Sequence, residues 1–290
     1  AAAAAAAAAA TGPPRLYLLR AGEQWMWPGE YVGHKHHVTV VSQEAVPRHY
    51  TLETLSLQPR IFRIANFLDD AETAKVIELA TRKLHRSAVS ENEGSVESNV
   101  RTSQQAWLNG HEHKVVSEID HRVADIVRVP ASLRLDEAMQ VVRYDEEQLY
   151  EAHQDTFDVS KYPDHPEFQQ GVQRLITFFY YLNDVEEGGE TVFPRANVPG
   201  AYAPHENMAD WSDCSRGIAV KPSKGDAVLW YNLEAATQVE GTAQDLRSLH
   251  GGCRVRRGTK WGANKWLHNK SYDRSPIALA DAPGCTDALL

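Results

Sequence analysis

Leu175-Ile-Thr-Phe-Phe-Tyr-Tyr-Leu182 is a nearly unbroken run of aliphatic, aromatic and β-branched side chains. Such a run reads as a strand covered on both faces. Outward from it the hydrophobic period stays near two. Met139-Gln-Val-Val-Arg-Tyr144 reads as a strand upstream. Residues 218–221, 227–231 and 261–268 read as three more downstream. Gly- and Pro-rich turns separate them, the pattern of a sandwich or barrel.

Two helices precede these strands. Asp69-Asp-Ala-Glu72 has the form of a capping box, and Val76, Ile77, Ala80 and Leu84 then mark one apolar face. Val116, Ile119, Val123 and Ile126 mark a second helix, with His111, His113 and His121 read as surface residues on or near it. Helices on one side of a strand framework give an α+β, mainly β fold. The expected core is a double-stranded β-helix (jelly-roll, cupin-like) with supporting N-terminal helices. Residues 1–54 read as an N-terminal extension or arm, 55–270 as the domain, and 271–290 as a C-terminal tail; residues 11–60, with alternating pieces such as Val38-Thr-Val-Val41, read as an extended arm or a small β element. The alanine run at residues 1–10 carries no fold information. Within the arm, His34-Lys-His-His37 reads as an exposed basic stretch rather than a metal site. Residues 87–103 read as a flexible loop, and residues 194–215 as a long, mobile loop near the mouth of a site.

With 290 residues, 42% of them hydrophobic, the chain suits one large domain with an extension. A net charge of −9 argues against a nucleic-acid partner. No apolar run approaches the roughly 20 residues of a membrane span, so none is expected in this chain. Leu16-Tyr-Leu-Leu19 is too short for a signal h-region. The cysteines, Cys214, Cys253 and Cys285, form no Cys-x-x-Cys pair, so a zinc knuckle is not indicated. By themselves they read as free thiols in a reducing compartment.

The chemistry sits in Tyr150-Glu-Ala-His-Gln-Asp-Thr-Phe-Asp158. His153 and Asp155 are two apart, so on a strand they share a face and can grip one metal ion. Alone, the pair also reads as a surface ion pair. Ser248-Leu-His-Gly-Gly-Cys253 offers a third ligand, His250. Two imidazoles and one carboxylate leave coordination positions open, as in non-haem Fe(II) oxygenases. Lys260 follows at a spacing suited to the far carboxylate of 2-oxoglutarate. Its other reading is a surface lysine in a basic stretch with Arg254, Arg256 and Arg257.

Three blocks then resemble one family in order and spacing. They are Gln173-Arg-Leu-Ile-Thr-Phe-Phe-Tyr-Tyr-Leu-Asn-Asp-Val-Glu-Glu-Gly-Gly-Glu-Thr-Val-Phe-Pro194, Val220-Lys-Pro-Ser-Lys-Gly-Asp-Ala-Val-Leu-Trp-Tyr-Asn232, and the run from Ser248 to His268. Together they resemble the catalytic domain of plant and algal prolyl 4-hydroxylases, over roughly residues 139–268. Thr54-Leu-Ser-Leu-Gln-Pro59 and Trp230-Tyr-Asn232 lean toward the transmembrane prolyl 4-hydroxylase subgroup, without its EF-hand insert. Arg254 stands where many relatives have Pro, and residues 156–172 are longer than in the shortest relatives.

The resemblance implies a dioxygenase that hydroxylates peptidyl proline at C4 while 2-oxoglutarate and O2 become succinate and CO2. It implies Fe(II) on His153, Asp155 and His250, and 2-oxoglutarate held by Lys260, Tyr144 and Thr191. It implies ascorbate as reductant, and a proline-containing peptide held by Tyr150, Arg174, Trp266 and His268. It further implies a Cys214–Cys253 bridge and the endoplasmic reticulum lumen or secretory pathway, with a cytoplasmic location still open. The same chemistry on a free amino acid or other side chain, a non-catalytic jelly-roll binding module, and a zinc hydrolase are the competing readings. The substrate protein and oligomeric state stay open.

Overall fold

The computed structural model describes residues 16–41, 46–86, 88–91, 94–97, 103–130, 133, 135–199 and 214–271. In chain order the elements are β1 (Lys35–Val41), β2 (Pro47–Leu57), β3 (Arg60–Ile64), α1 (Asp70–Thr81), β4 (His85–Arg86), β5 (Ala88–Glu91), β6 (Gly94–Glu97), β7 (Gln104–Leu108) and α2 (Lys114–Val127). There follow β8 (Met139–Tyr144), β9 (Tyr150–His153), α3 (Pro166–Gln169), β10 (Arg174–Tyr181), β11 (Glu187–Gly188), β12 (Thr191–Phe193), β13 (Ile218–Val220), β14 (Ala227–Tyr231), β15 (His250–Gly252), β16 (Val255–Arg257) and β17 (Lys260–His268).

Two antiparallel sheets carry the fold. The larger runs β1-β2-β3-β14-β10-β17-β8-β7-β4, and the smaller runs β13-β12-β15-β9. β10 lies between β14 and β17, and its side chains alternate between two cores. Phe178 and Tyr180 join Phe67 and the apolar faces of α1 and α2. Phe179 and Tyr181 join Phe193 and Val220 of the smaller sheet. Both faces of β10 are therefore dry, which is why its sequence is continuously apolar rather than alternating. This double layering is the double-stranded β-helix with helices packed on the outer face of its larger sheet.

Local chemistry sets the helices. Asp69 Oδ1 accepts from the Glu72 amide, and Glu72 Oε2 accepts from the Asp69 amide, each at 2.9 Å. Glu72 also pairs with Arg122 of α2, which donates to Phe67 O at 2.9 Å. One carboxylate thus caps α1 and ties the two helices together. Val116, Ile119, Val123 and Ile126 are all buried. Below them Lys265 of β17 sits 2.9 Å from Asp120 and 2.7 Å from Asp136, fixing α2 to the sheet.

Three expectations are corrected. The boundary between residues 54 and 55 falls inside β2, and of the two readings of the N-terminal segment the β element holds over the arm, since β1 and β2 extend the larger sheet. Upstream, Trp27 is buried and donates from Nε1 to Ile126 O and from its amide to the Tyr231 hydroxyl oxygen, both at 2.8 Å. Within the basic stretch, His34 and His36 are half-buried, and His36 Nε2 donates to Pro28 O at 2.8 Å. In place of a loop after residue 87, β5 and β6 pair from Ala88↔Glu97 to Glu91↔Gly94. Of the loop expected near the mouth, residues 200–213 lie outside the described residues, as do Cys285 and nearly all of the tail. No helix among the described residues is long and apolar enough to cross a membrane.

Candidate active site

His153 ends β9, and His250 opens β15 as its direct partner in the register. Strand pairing therefore brings the two imidazoles together, with ring centroids 4.4 Å apart. Asp155 lies two residues past the end of β9, so it is not on the strand as expected, and it is buried. Its Oδ1 is 3.7 Å from His153 Nε2, and its Oδ2 is 3.5 Å from His250 Nε2. Among the described residues these three form the cluster able to hold a metal ion, with ligand atoms within 4.8 Å of one another.

The donor set fits a metal. His153 Nδ1 donates to Glu151 O at 2.8 Å, and His250 Nδ1 donates to Ser248 O at 2.9 Å. A ring whose Nδ1 carries the proton presents the lone pair of Nε2, and a carbonyl behind the ring is the usual support for a metal-bound imidazole. Burial pushes the Asp155 carboxyl up, but His250, His153, Arg174 and the Thr177 hydroxyl together hold it below the usual carboxylate range. Asp155 Oδ2 accepts from Thr177 Oγ1 at 2.7 Å and from Trp266 Nε1 at 3.0 Å.

A cavity of about 420 Å³ opens on this cluster. Lys260 and Tyr144, partners across β17 and β8, line it together with Thr191 and Phe179. Lys260 is 2% exposed, and its Nζ lies 5.2–5.8 Å from the ring centres of Phe179, Tyr144 and Tyr181. Burial pushes this ammonium down to about 7, with Glu190 opposing. Glu190 acts on it only through space, with no ion pair formed among the described residues. A buried cation facing a cavity is a receptor for an anionic ligand. Beside it, Tyr181 Oη donates to Thr191 Oγ1 at 2.9 Å, so the Thr191 hydroxyl proton is left for the cavity.

The family model described as the 2OG-Fe(II) oxygenase superfamily matches residues 139–268, the span that holds every one of these groups. Probable prolyl 4-hydroxylase 4 of Arabidopsis thaliana is 39% identical over 239 residues, covering 81% of this chain and 75% of that protein. The chain belongs to the prolyl 4-hydroxylase family of 2-oxoglutarate and Fe(II)-dependent oxygenases. Prolyl 4-hydroxylase 2 of the same plant is 38% identical over the same shares. Among solved structures, the 2-oxoglutarate complex of a viral collagen prolyl hydroxylase from Paramecium Bursaria Chlorella virus-1 matches with TM-score 0.50 and 25% identity. That match covers 72% of this chain and 95% of the viral one.

In this family member, most of the residues expected at the site share the one cavity: Tyr144, Tyr150, His153, Asp155, Arg174, Thr191, His250, Lys260 and Trp266 all line it. Tyr150 stacks on His153 at 3.8 Å between centroids. His268 is the correction. It is buried, does not line the cavity, and donates from Nε2 to Glu137 Oε1 at 2.8 Å. Glu137 in turn grips Arg174, whose Nε and Nη2 donate to its two oxygens at 2.6 and 2.7 Å. The Arg174 guanidinium lies 3.7 Å above the Trp266 ring and 4.9 Å from that of Phe157. Arg174 and His268 are register partners at the ends of β10 and β17, with a register shift between Arg174 and Ile176. Trp266 is pocket wall and carboxylate anchor at once. Sequence reading missed Glu137, Thr177 and Asn232, because isolated polar residues far apart along the chain have no spacing signature.

The bridge implied by resemblance is present: Cys214 and Cys253 form a disulfide. It ties the segment before β13 to the residue after β15.

Proposed function

We propose that this chain hydroxylates C4 of a proline within an extended peptide, using 2-oxoglutarate and O2 and releasing succinate and CO2. One observation carries the reading: a single cavity is lined by a His-Asp-His cluster and by a buried lysine. Bound Fe(II), held by His153, Asp155 and His250, supplies the oxygen activation that lets an unactivated C–H bond be broken. Lys260 takes the 5-carboxylate of 2-oxoglutarate through a charge-assisted bond, and Tyr144 and Thr191 add hydroxyl donors.

Arg174, its fork edge held by Glu137, keeps further N–H groups for peptide carbonyls. Tyr150 and Trp266 supply ring surface to a chain in polyproline II form, which exposes its carbonyls because it has no internal hydrogen bonds. The related prolyl 4-hydroxylases support proline as the residue modified. Ascorbate serves as the reductant that restores the ferrous state. The Cys214–Cys253 bridge supports an oxidising location, the endoplasmic reticulum lumen or secretory pathway.

The test is succinate release across a panel of proline-rich peptides, non-proline peptides and free amino acids, with mass spectrometry to place the added oxygen. Oxygen on proline C4 of a peptide is the expected result. Turnover confined to free amino acids, or to another side chain, would replace the reading.

A further inference from the structure

The two oxygens of Asp155 are held differently. Oδ2 accepts from both Thr177 Oγ1 and Trp266 Nε1, at 2.7 and 3.0 Å. Behind Thr177, Asn232 Nδ2 donates to Oγ1 at 2.7 Å. The inventory of protons fixes the direction of each bond. An ionised carboxylate only accepts, so the single hydroxyl proton of Thr177 goes to Asp155. Asn232 must then donate, which turns its amino group toward Thr177 and its carbonyl away.

These groups stand on neighbouring central strands. Thr177 of β10 is the register partner of Trp230 on one side and of Trp266 on the other. Asn232 follows β14 directly and is anchored by its own amide, which donates to Leu175 O at 2.9 Å. Thr177 and Asn232 are both fully buried, so water does not compete for their bonds. Neither lines the cavity.

We infer that Asn232 and Thr177 form a positioning relay that saturates Oδ2 of Asp155 and leaves Oδ1 as the oxygen offered to the metal. The inference rests on the reading of His153, Asp155 and His250 as ligands. A carboxylate free to rotate can chelate through both oxygens and take up a position that co-substrate or O2 requires. Holding one oxygen in hydrogen bonds keeps the carboxylate a one-point ligand and the remaining positions open. Thr177 and Asn232 touch neither metal nor substrate, so they act through Asp155.

The experiment is anaerobic titration of the metal-free full chain with Co(II), reading affinity and the visible ligand-field spectrum. Thr177→Val should weaken binding by roughly 10–100-fold and alter the spectrum, the range seen when outer-shell partners of metal ligands are lost. Thr177→Ser, which keeps the hydroxyl, should restore both. Asn232→Leu should weaken binding less, and should add nothing in the Thr177→Val background because its effect runs through that hydroxyl. Wild-type affinity and spectrum in both single variants would overturn the relay, as would fully additive losses in the double variant. If Thr177→Val does not fold, Asn232→Leu decides: a weakened affinity with a changed spectrum supports the relay, and a wild-type titration overturns it. His250→Ala separates the two levels. Its failure to bind Co(II) upholds the ligand set whatever the relay does, and its unchanged binding would bring down the ligand set itself.

Discussion

His250 lies directly opposite His153 in the pairing of β15 with β9. Register, more than sequence proximity, therefore builds the metal site. A slip of one residue would turn His250 to the other face of the sheet. Gly251 helps to fix that register, because a Cβ there would meet Tyr150 O at 3.0 Å and the Ala152 backbone at 3.2 Å. The strands approach closely at this point, and a side chain would push them apart beside the ligand.

His153→Ala, Asp155→Ala and His250→Ala should each abolish succinate release through loss of iron. Calorimetric titration of each variant with Fe(II) under anaerobic conditions should show a loss beyond the roughly 10–100-fold typical of outer-shell changes. A variant with wild-type affinity would remove its residue from the ligand set.

Lys260 gives a pH dependence with a definite sign. Burial holds its ammonium near 7 in the ligand-free protein, and a bound carboxylate would raise it again. Binding of 2-oxoglutarate then takes up a proton above about 7. The apparent affinity should be flat below that pH and fall by about tenfold per pH unit above it, until the bound-state value is reached. Lys260→Ala should lose the affinity and the slope together while sparing the peptide KM. The same burial disfavours the charged lysine in the folded state, whose value lies below the ordinary 10.5. That penalty is complete below about 7 and vanishes above the ordinary value. Lys260→Met should therefore melt higher than the wild-type chain at neutral pH, in the absence of ligand. A flat pH profile for wild-type 2-oxoglutarate binding would contradict this account.

Glu137, Arg174 and His268 should act as a unit on the peptide. Burial alone would push the Glu137 carboxyl up, yet Arg174 and the His268 hydrogen bond hold it well below the usual carboxylate range. Arg174→Ala removes a charge-assisted donor, worth roughly 1.5–3 kcal/mol, and should raise the peptide KM with 2-oxoglutarate and iron affinities largely kept. Glu137→Gln and His268→Ala should give smaller shifts in the same direction, because each loosens Arg174 without removing it. Wild-type hydroxylation of proline peptides by Arg174→Ala would disprove the peptide role and favour a small-molecule substrate.

Much of the fold is written in short-range pattern. The run at residues 175–182, the Asp69 cap and the stripe from Val116 to Ile126 each report on their own surroundings, and the structure places them as read. β2 was obscured because its buried face alternates Tyr50 and Leu52 with Thr54 and Ser56, whose hydroxyls weaken the apolar signal. At the site, the ligands and Lys260 carry strong type and spacing cues. Glu137 has none, since its role comes from partners on β10 and β17 far along the chain. His268 shows the limit of carrying roles over by position. Its place on β17 matches the expectation, but its ring is taken up by the Glu137 carboxylate, a partner that the sequence does not mark.

The Cys214–Cys253 bond closes a loop with sequence separation 39 across the smaller sheet. In the chain-entropy account, removing a loop of that length from the unfolded ensemble stabilises the fold by roughly 2–4 kcal/mol. The bond also sits close to one of the metal-binding residues: Cys253 directly follows β15, the strand that His250 opens, and its amide donates to Glu190 O at 2.8 Å. Cys214→Ser/Cys253→Ser should therefore lower the melting temperature clearly. Its effect on Fe(II) affinity should be small, because the β9–β15 pairing and the two imidazole–carbonyl bonds remain to position the ligands. Non-reducing peptide mapping of protein made under oxidising conditions checks that the bond forms, and thermal melts with and without reductant measure its worth. Equal melting temperatures in the two conditions would show that the smaller sheet holds its register without the bridge, and would take away the structural support for an oxidising compartment.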